Sequence, residues 1–403
     1  MEVRPCASIE ELSGALAGIG HYFGVPGSDD RAERAANWLE LERVLAARAD
    51  GQIVGGAATV SFDVSVPGGA TIPCGGVTVV GVLPTHRRRG LLNAMMQAQL
   101  EDARARGEAI ACLWASEAAI YGRYGYGLAT RIGELTLGRE HTSFDRPFEP
   151  RGEVALIDAD AAGRVVPAIY ERMRASRPGM MSRSEAWWRT RRLDDDPSRR
   201  RGGGPLVIAL LSLDGEPAAY ALYRVTQDWQ AGVTDGTVRI VEAVTPTAES
   251  TRELWRWLLD FDWTSRFVAG VLPPDHPLFL LLAEPARMAF RVADGLHARL
   301  VDVEAALRGR AYAGGGEVVL EVADPAAPWN EGCFRVTGEG VERTRDAADL
   351  RLGVAALGSV YLGAFRFADL ARAMRVEELR AGAVERADAL FRADAEPWCA
   401  EIF

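Results

Sequence analysis

Two periods of hydrophobic and polar positions run through the chain. Apolar, β-branched stretches at residues 44–49 and 52–63 read as strands around the tight turn Asp50-Gly51. Residues 77–82 read as a buried strand reached through the turn Pro67-Gly68-Gly69. Residues 8–19 and 38–44 read as helices, and from Leu91 onward Leu91, Leu92, Met95 and Met96 fall on one helical face. This third helix runs to Arg106 and stops at Gly107, and residues 109–115 then read as a second buried strand. Strand, helix and strand make a βαβ crossover that sets two parallel strands side by side. The loop from Leu83-Pro84-Thr85 to Gly90 then lies at the carboxyl end of the first, where open α/β sheets bind ligands. After Ser116-Glu117 come a short helical turn at 118–124 and a strand at 128–137, and the prolines and glycine of 147–152 predict the close of a first domain.

The middle third repeats this plan. Residues 206–213 and 218–225 flank the turn Asp214-Gly215, 238–244 is a strand, 251–259 a helix and 267–272 another strand. Val82-Leu83-Pro84-Thr85 has its counterpart in Val244-Thr245-Pro246-Thr247, but where the first copy continues to Arg87-x-x-Gly90 the second has Glu249-Ser250-Thr251-Arg252. The last third changes character, with short strands at 317–322 and 333–337 and helices at 303–308 and 364–374. The pattern predicts a mixed α/β protein of three domains, 1–150, 151–297 and 298–403.

Composition narrows the function. With 48% hydrophobic and 25% charged residues the chain is globular, and its net charge of -10 argues against nucleic acid as the principal partner and for cationic substrates. The arginines at 189–192 and 199–201 surround Asp194-Asp195-Asp196, which makes them a solvated loop rather than a nucleic-acid face. No secretion signal opens the sequence, and apolar clusters such as 278–283 fall far short of the ~20 residues a membrane span needs. Five scattered cysteines predict reduced thiols and a cytoplasmic location, and neither they nor the histidines have metal-ligand spacing, so no metal is expected.

The chemistry concentrates in the loop before the third helix. His86-Arg87-Arg88-Arg89-Gly90 puts three guanidinium groups and a glycine beside the unpaired N–H groups of a helix start, at the positive end of its dipole. Phosphate binds at such a turn, the glycine allowing close backbone approach and arginine supplying fixed planar donors. For an arginine triplet alone, a solvated basic helix start is the stronger reading.

Arg87-x-x-Gly90 after a strand, followed by a strand and Ile120-Tyr121-x-x-x-Gly125-Tyr126, resembles the acetyl-CoA signature of GCN5-related N-acetyltransferases. Val80-Gly81-Val82-x-Pro84-Thr85-His86-Arg87-Arg88-Arg89-Gly90-Leu91-Leu92, with Ala115-Ser116-Glu117-x-x-Ile120-Tyr121-Gly122-Arg123, is similar to the Eis (enhanced intracellular survival) branch. Leu92 departs from the generic signature, which prefers Gly or Ala there, while keeping the branch's own. The resemblance implies two tandem acetyltransferase-like (GNAT) domains, the second degenerate, before a sterol-carrier-protein-like α+β domain. It also implies acetyl-CoA as co-substrate, a small-molecule polycationic amine such as an aminoglycoside as acceptor, and a homohexamer.

By the same resemblance, the backbone N–H of Val82 polarises the thioester carbonyl. Tyr121 is the general acid toward the leaving sulfur, and the α-carboxylate of Phe403 is the general base. Val80, Gly81, Val82, Arg88, Arg89, Gly90, Leu91, Leu92, Asn93, Ser116 and Glu117 are implied to hold the cofactor. Read by its residues alone, the terminal stretch Pro397-Trp398-Cys399-Ala400-Glu401-Ile402-Phe403 is apolar and could simply pack, and Tyr121, like Tyr124 and Tyr126, could be a core aromatic. Near relatives end in an acidic-aromatic pair, whereas here Ile402 precedes Phe403. A phenol near ~10 giving its proton to a thiolate near ~8.5 works uphill by roughly 2 kcal/mol unless the site shifts one of them. Trp38, Asp29, Asp30 and Glu401 are candidates for contacting the amine, and the rival reading is a non-catalytic coenzyme A-binding or sterol-carrier-like module.

Overall fold

A computed structural model describes every residue of the chain except Pro26 and Ala231. It divides into two compact units, one of Met1–Thr130, Gly295–Pro397 and Glu401–Phe403, the other of Arg131–Asp294 and Trp398–Ala400.

The first unit opens with β1 (Glu2–Pro5), α1 (Ile9–Gly20) and α2 (Asp29–Ala36). Ser8 and Ser28 start these helices by accepting the N–H groups of Glu11 and Arg31. The helix expected at 38–44 is not formed; Trp38 follows the end of α2, Leu41–Arg43 makes one 3-10 turn, and Val44 already begins a strand. Next come β2 (Val44–Ala49), β3 (Gln52–Ser65), β4 (Thr71–Val82), α3 (Leu91–Ala105), β5 (Ile110–Trp114), α4 (Ala118–Tyr121) and β6 (Gly127–Leu128). Asp50 and Gly51, both at positive φ, form the β2–β3 turn that the sequence predicts. Arg43, entering β2, holds both oxygens of Glu108 at 2.6 and 2.8 Å, and this buried ion pair ties the sheet to the start of β5.

The second unit contains β7 (Arg131–Gly138), β8 (Glu153–Ile157), α5 (Ala159–Arg174) and α6 (Glu185–Trp187). It continues with β9 (Val207–Leu213), β10 (Glu216–Thr226), the two-stranded β11 (Trp229–Gln230) and β12 (Val233–Thr234), β13 (Thr237–Val244), α7 (Ala248–Leu258), β14 (Arg266–Leu272), α8 (Leu278–Leu281) and β15 (Arg291–Asp294). Its sheet, ordered β15-β7-β14-β13-β10-β9-β8, packs Leu137, Leu211, Ile240 and Phe267 in one cluster with Trp255 of α7.

The chain then returns to the first unit through β16 (Leu296–Leu300), α9 (Val303–Arg308), β17 (Glu317–Ala323), β18 (Gly332–Thr337), β19 (Val341–Thr344), β20 (Leu350–Gly353), α10 (Val354–Tyr361), α11 (Phe367–Arg372), β21 (Val376–Glu378) and α12 (Ala383–Phe391). β16 inserts between β5 and β6, so the first sheet runs β1-β2-β3-β4-β5-β16-β6. The single strand expected at 128–137 is thus two strands in different sheets. The first sheet stops before residue 131 and resumes at 296, whereas the sequence puts divisions after 150 and 297. The last strands form a separate sheet, β19-β18-β17-β20-β21. Its helix α10 lies hard against β6 and β16, where a Cβ at Gly127 would come within 1.8 Å of the Ala355 carbonyl and one at Gly358 within 2.3 Å of that of Ala298. Beside this contact Arg299, wholly buried, bonds both carboxylate oxygens of Asp324 at 3.0 and 2.9 Å. Among the described residues no helix is long and apolar enough to cross a membrane.

Candidate active site

β4 and β5 run parallel but pair only from Cys74–Ile110 to Val77–Leu113, whereas β4 keeps its antiparallel partner β3 as far as Val82–Gly55. The last five residues of β4 therefore turn one backbone edge away from any strand. A bulge lies in the same stretch, with the register shifting opposite Gly56 and Ala58 and Val79 held at a φ of 58°. The N–H of Leu83 donates to the Val54 carbonyl on the β3 side at 2.8 Å. Alternation along a strand turns the N–H of Val82, and that of Val80 two residues earlier, to the open edge. The phenol of Tyr22 reaches that same edge and donates to the Val82 carbonyl at 2.8 Å.

At the end of β4 the chain turns into α3 through Arg88, at φ 62°, and Gly90, at φ 85°. Gly90 is the N-cap, and no side chain caps the helix behind it. The N–H groups of Leu91, Leu92 and Asn93 are orphaned by helix geometry, and the first turn holds no acidic residue to neutralise them. A Cβ on Gly90 would meet nothing within 4 Å, and Arg88 and Arg89 are exposed around it. The space, the donors and the sign of charge all fit a diphosphate.

The equivalent turn of the second unit has lost this capacity. Thr247 caps α7 by accepting the Ser250 N–H at 3.1 Å, Ser250 accepts the Thr247 N–H at 3.1 Å, and Glu249 sits in the first turn. The helix start is satisfied by its own hydroxyls, and a carboxylate repels an incoming anion.

Tyr121 closes α4 on the α3 side of the first sheet. It packs on the cluster of Val77, Met96, Leu113 and Tyr126, to which Val80, Leu92 and Tyr124 also contribute. Its ring meets the edge of Tyr126 at 6.1 Å. Burial pushes its phenol above the usual tyrosine value, and the neighbouring Glu117 and Tyr124 add to the effect. Ser116 and Glu117 are exposed at the turn leading in.

Phe403 lies on the opposite face. The missing Cβ of Gly76, next to the inward-facing Val77, would come within 2.5 Å of the Phe62 ring and 3.2 Å of the Phe403 ring, and those two rings are 5.1 Å apart. Trp114, whose neighbour Leu113 faces the α3 side, donates its indole N–H to the Glu401 carbonyl at 2.6 Å. The chain's last residue thus rests at the point where β4 and β5 part. Tyr121, Val82 and the α3 turn approach that opening from one side and Phe403 from the other.

The remaining expected residues gather less closely. Asp29 and Asp30 are exposed in the first turn of α2, where acids already suit the dipole, and Trp38 is half-buried just beyond it. Glu401 is fully buried, which takes its side chain away from solvent. Sequence reasoning passed over Tyr22, Phe62 and Trp114. Only the aromatic character of Trp114 at the end of a predicted strand, just before Ser116-Glu117, could have drawn notice.

The chain is similar to known proteins along its length. Residues 2–129 and 179–300 each match an acetyltransferase (GNAT) domain family, and residues 303–400 a sterol carrier protein domain family. The chain is 42% identical over 388 residues to an uncharacterized N-acetyltransferase of Streptomyces avermitilis, covering 94% of this chain and 93% of that one. It is 37% identical over 360 residues to the N-acetyltransferase Eis of Mycobacterium tuberculosis, covering 85% and 84%. The crystal structure of Eis1 from Mycobacterium abscessus superposes with a TM-score of 0.87 at 36% identity, covering 100% of both chains.

Proposed function

The chain belongs to the Eis family of GCN5-related N-acetyltransferases, and from that premise we propose that it acetylates primary amines of a polycationic, aminoglycoside-like substrate at the opening between β4 and β5. Acetyl-CoA, the acyl donor of such enzymes, brings an activated acetyl group as a thioester.

The chain's own groups then divide the work. The orphan N–H groups of Leu91, Leu92 and Asn93, with Arg88, Arg89 and the bare Gly90, hold diphosphate. Val80, Gly81, Ser116 and Glu117 line the approach along the strand ends. The Val82 N–H, turned to the open edge, donates to the carbonyl oxygen as charge builds there. Tyr121 keeps its proton at neutral pH for the departing sulfur, and the Phe403 carboxylate accepts the proton of the attacking amine, directly or through water. A carboxylate with a reference pKa of about 3.5 is a weak base, so its larger contribution is to hold the ammonium group in line.

The observation that carries this reading is an opening flanked by an uncapped, acid-free helix start and Tyr121 on one face and the chain terminus on the other. The net charge of -10 supports a polycationic acceptor. A homohexamer and a cytoplasmic location rest on the resemblance and the composition alone.

Titration calorimetry with acetyl-CoA, followed by a free-thiol assay over a panel of aminoglycosides and simple polyamines, tests the proposal. Heat on titration and amine-dependent thiol release are expected. Heat without thiol release under any amine would identify a coenzyme A-binding module instead. Deleting Phe403 should lower kcat by about 10²-fold or more, and undiminished turnover would remove the carboxylate from the mechanism.

A further inference from the structure

We propose that Trp114 is a positioning residue for acetyl transfer, its indole N–H holding the final three residues across the end of the β4–β5 pair so that the Phe403 carboxylate keeps one attitude toward the amine. The proposal rests on the reading of Phe403 as proton acceptor.

A chain terminus normally frays, because its last residues gain too few contacts to offset their lost freedom. Here the terminus has two anchors on different strands. From β5, Trp114 grips the Glu401 carbonyl at 2.6 Å, and from β3 the Phe62 ring meets that of Phe403 at 5.1 Å. Between them β4 presents Gly76, which leaves room for both rings. The ring contact alone lets the terminal residue swivel, since two aromatic rings have many near-equal packings. A hydrogen bond to a fully buried residue's carbonyl is directional and fixes the backbone that carries it. Two residues separate the tethered carbonyl from the terminal carboxylate, a reach of at most about 7 Å.

Trp114 stands where it can do this. Leu113 is the last residue of β5 to pair with β4, while Trp114 pairs only on the other side, with Leu296 of β16. Its backbone is therefore fixed by a strand while its ring reaches the face that carries Phe403. Indole is a donor and never a proton acceptor, so Trp114 acts through the terminus and takes no proton itself.

Trp114→Phe keeps the bulk and deletes the donor. Two readouts are expected in the full-length protein: release of Phe403 by carboxypeptidase A accelerates about tenfold, and kcat falls by a similar factor with KM for acetyl-CoA unchanged. Parent-like values of both overturn the proposal. A merely structural role would lower stability without this selective exposure of the terminus. Should the variant fail to fold, the indole 15N–H resonance of Trp114 in the unsubstituted protein decides: it shifts and exchanges faster on deletion of residues 401–403, and an unchanged resonance overturns the bond. A chain lacking only Phe403 separates the two claims. Full turnover there removes the proton-acceptor reading and the proposal with it, whereas lost turnover there beside a parent-like Trp114→Phe enzyme removes the positioning role alone.

Discussion

Tyr121, the proposed acid, shows how the fold shapes a single side chain. Its phenol is pushed above the ordinary value because burial disfavours the phenolate, with Glu117 and Tyr124 adding repulsion. A raised pKa means the proton stays on to higher pH than in a free tyrosine, at the cost of a weaker acid. Tyr121→Phe should lower kcat by roughly 10²-fold while calorimetry shows unchanged acetyl-CoA affinity. In the parent enzyme, no alkaline loss of kcat from this group is expected below about pH 10. A limb in the pH profile below that, abolished by Tyr121→Phe, would contradict the assignment. At this scale the sequence was informative where the residues are neighbours: Tyr121 follows Ser116-Glu117, and Gly90 follows its arginines. Trp114 and Phe62 were invisible because their partners, Glu401 and Phe403, lie far along the chain, 287 residues away in the case of Trp114. No local pattern encodes such a contact.

Among the elements, α1 and β4 approach more closely than side chains would allow. A Cβ at Gly81 would come within 2.7 Å of the backbone of Ile19, and one at Gly18 within 2.8 Å of the Gly81 carbonyl. Gly81 lies between the two valines whose N–H groups face the open edge, so its bareness lets a helix back the strand proposed to meet the thioester. Gly81→Ala should therefore destabilise the protein by about 1–3 kcal/mol through overpacking, read as a lower midpoint in urea. An unchanged midpoint would mean that α1 gives way freely. The elements themselves were mostly legible, since β2, β3, α3, β5 and the strands of the second sheet carry strong apolar patterns. The failure at 38–44 has a physical cause. The helix in this region is α2, whose buried positions are only Ala32 and Ala35, so its periodicity is carried by small residues between charges. Leu39 and Val44 are buried, but in a connection and a strand.

For the whole molecule, composition carries a consequence for an enzyme that modifies amines. All 46 residues counted as Lys or Arg are arginine, so among its side chains none is a primary amine. Guanidinium stays protonated at any working pH and does not attack a thioester. Prolonged incubation of a chain of this sequence with acetyl-CoA should therefore raise its intact mass by no more than one acetyl group, at its α-amine. Two or more amide-linked acetyl groups would contradict this. The sequence by itself determined the parts whose physics is local: the parallel strand pair, the glycine turn with its arginines at Gly90, the loss of that pattern after Thr247, and the order of three folding patterns. Only the tertiary structure decided that β16 completes the first sheet, that the strand at 128–137 divides between two sheets, and that Phe403 comes to rest beside Gly76. Periodicity records which face of an element is buried. It does not record which distant element covers that face, because the hydrogen bonds and contacts that choose a partner are the same for every strand edge and every apolar tail.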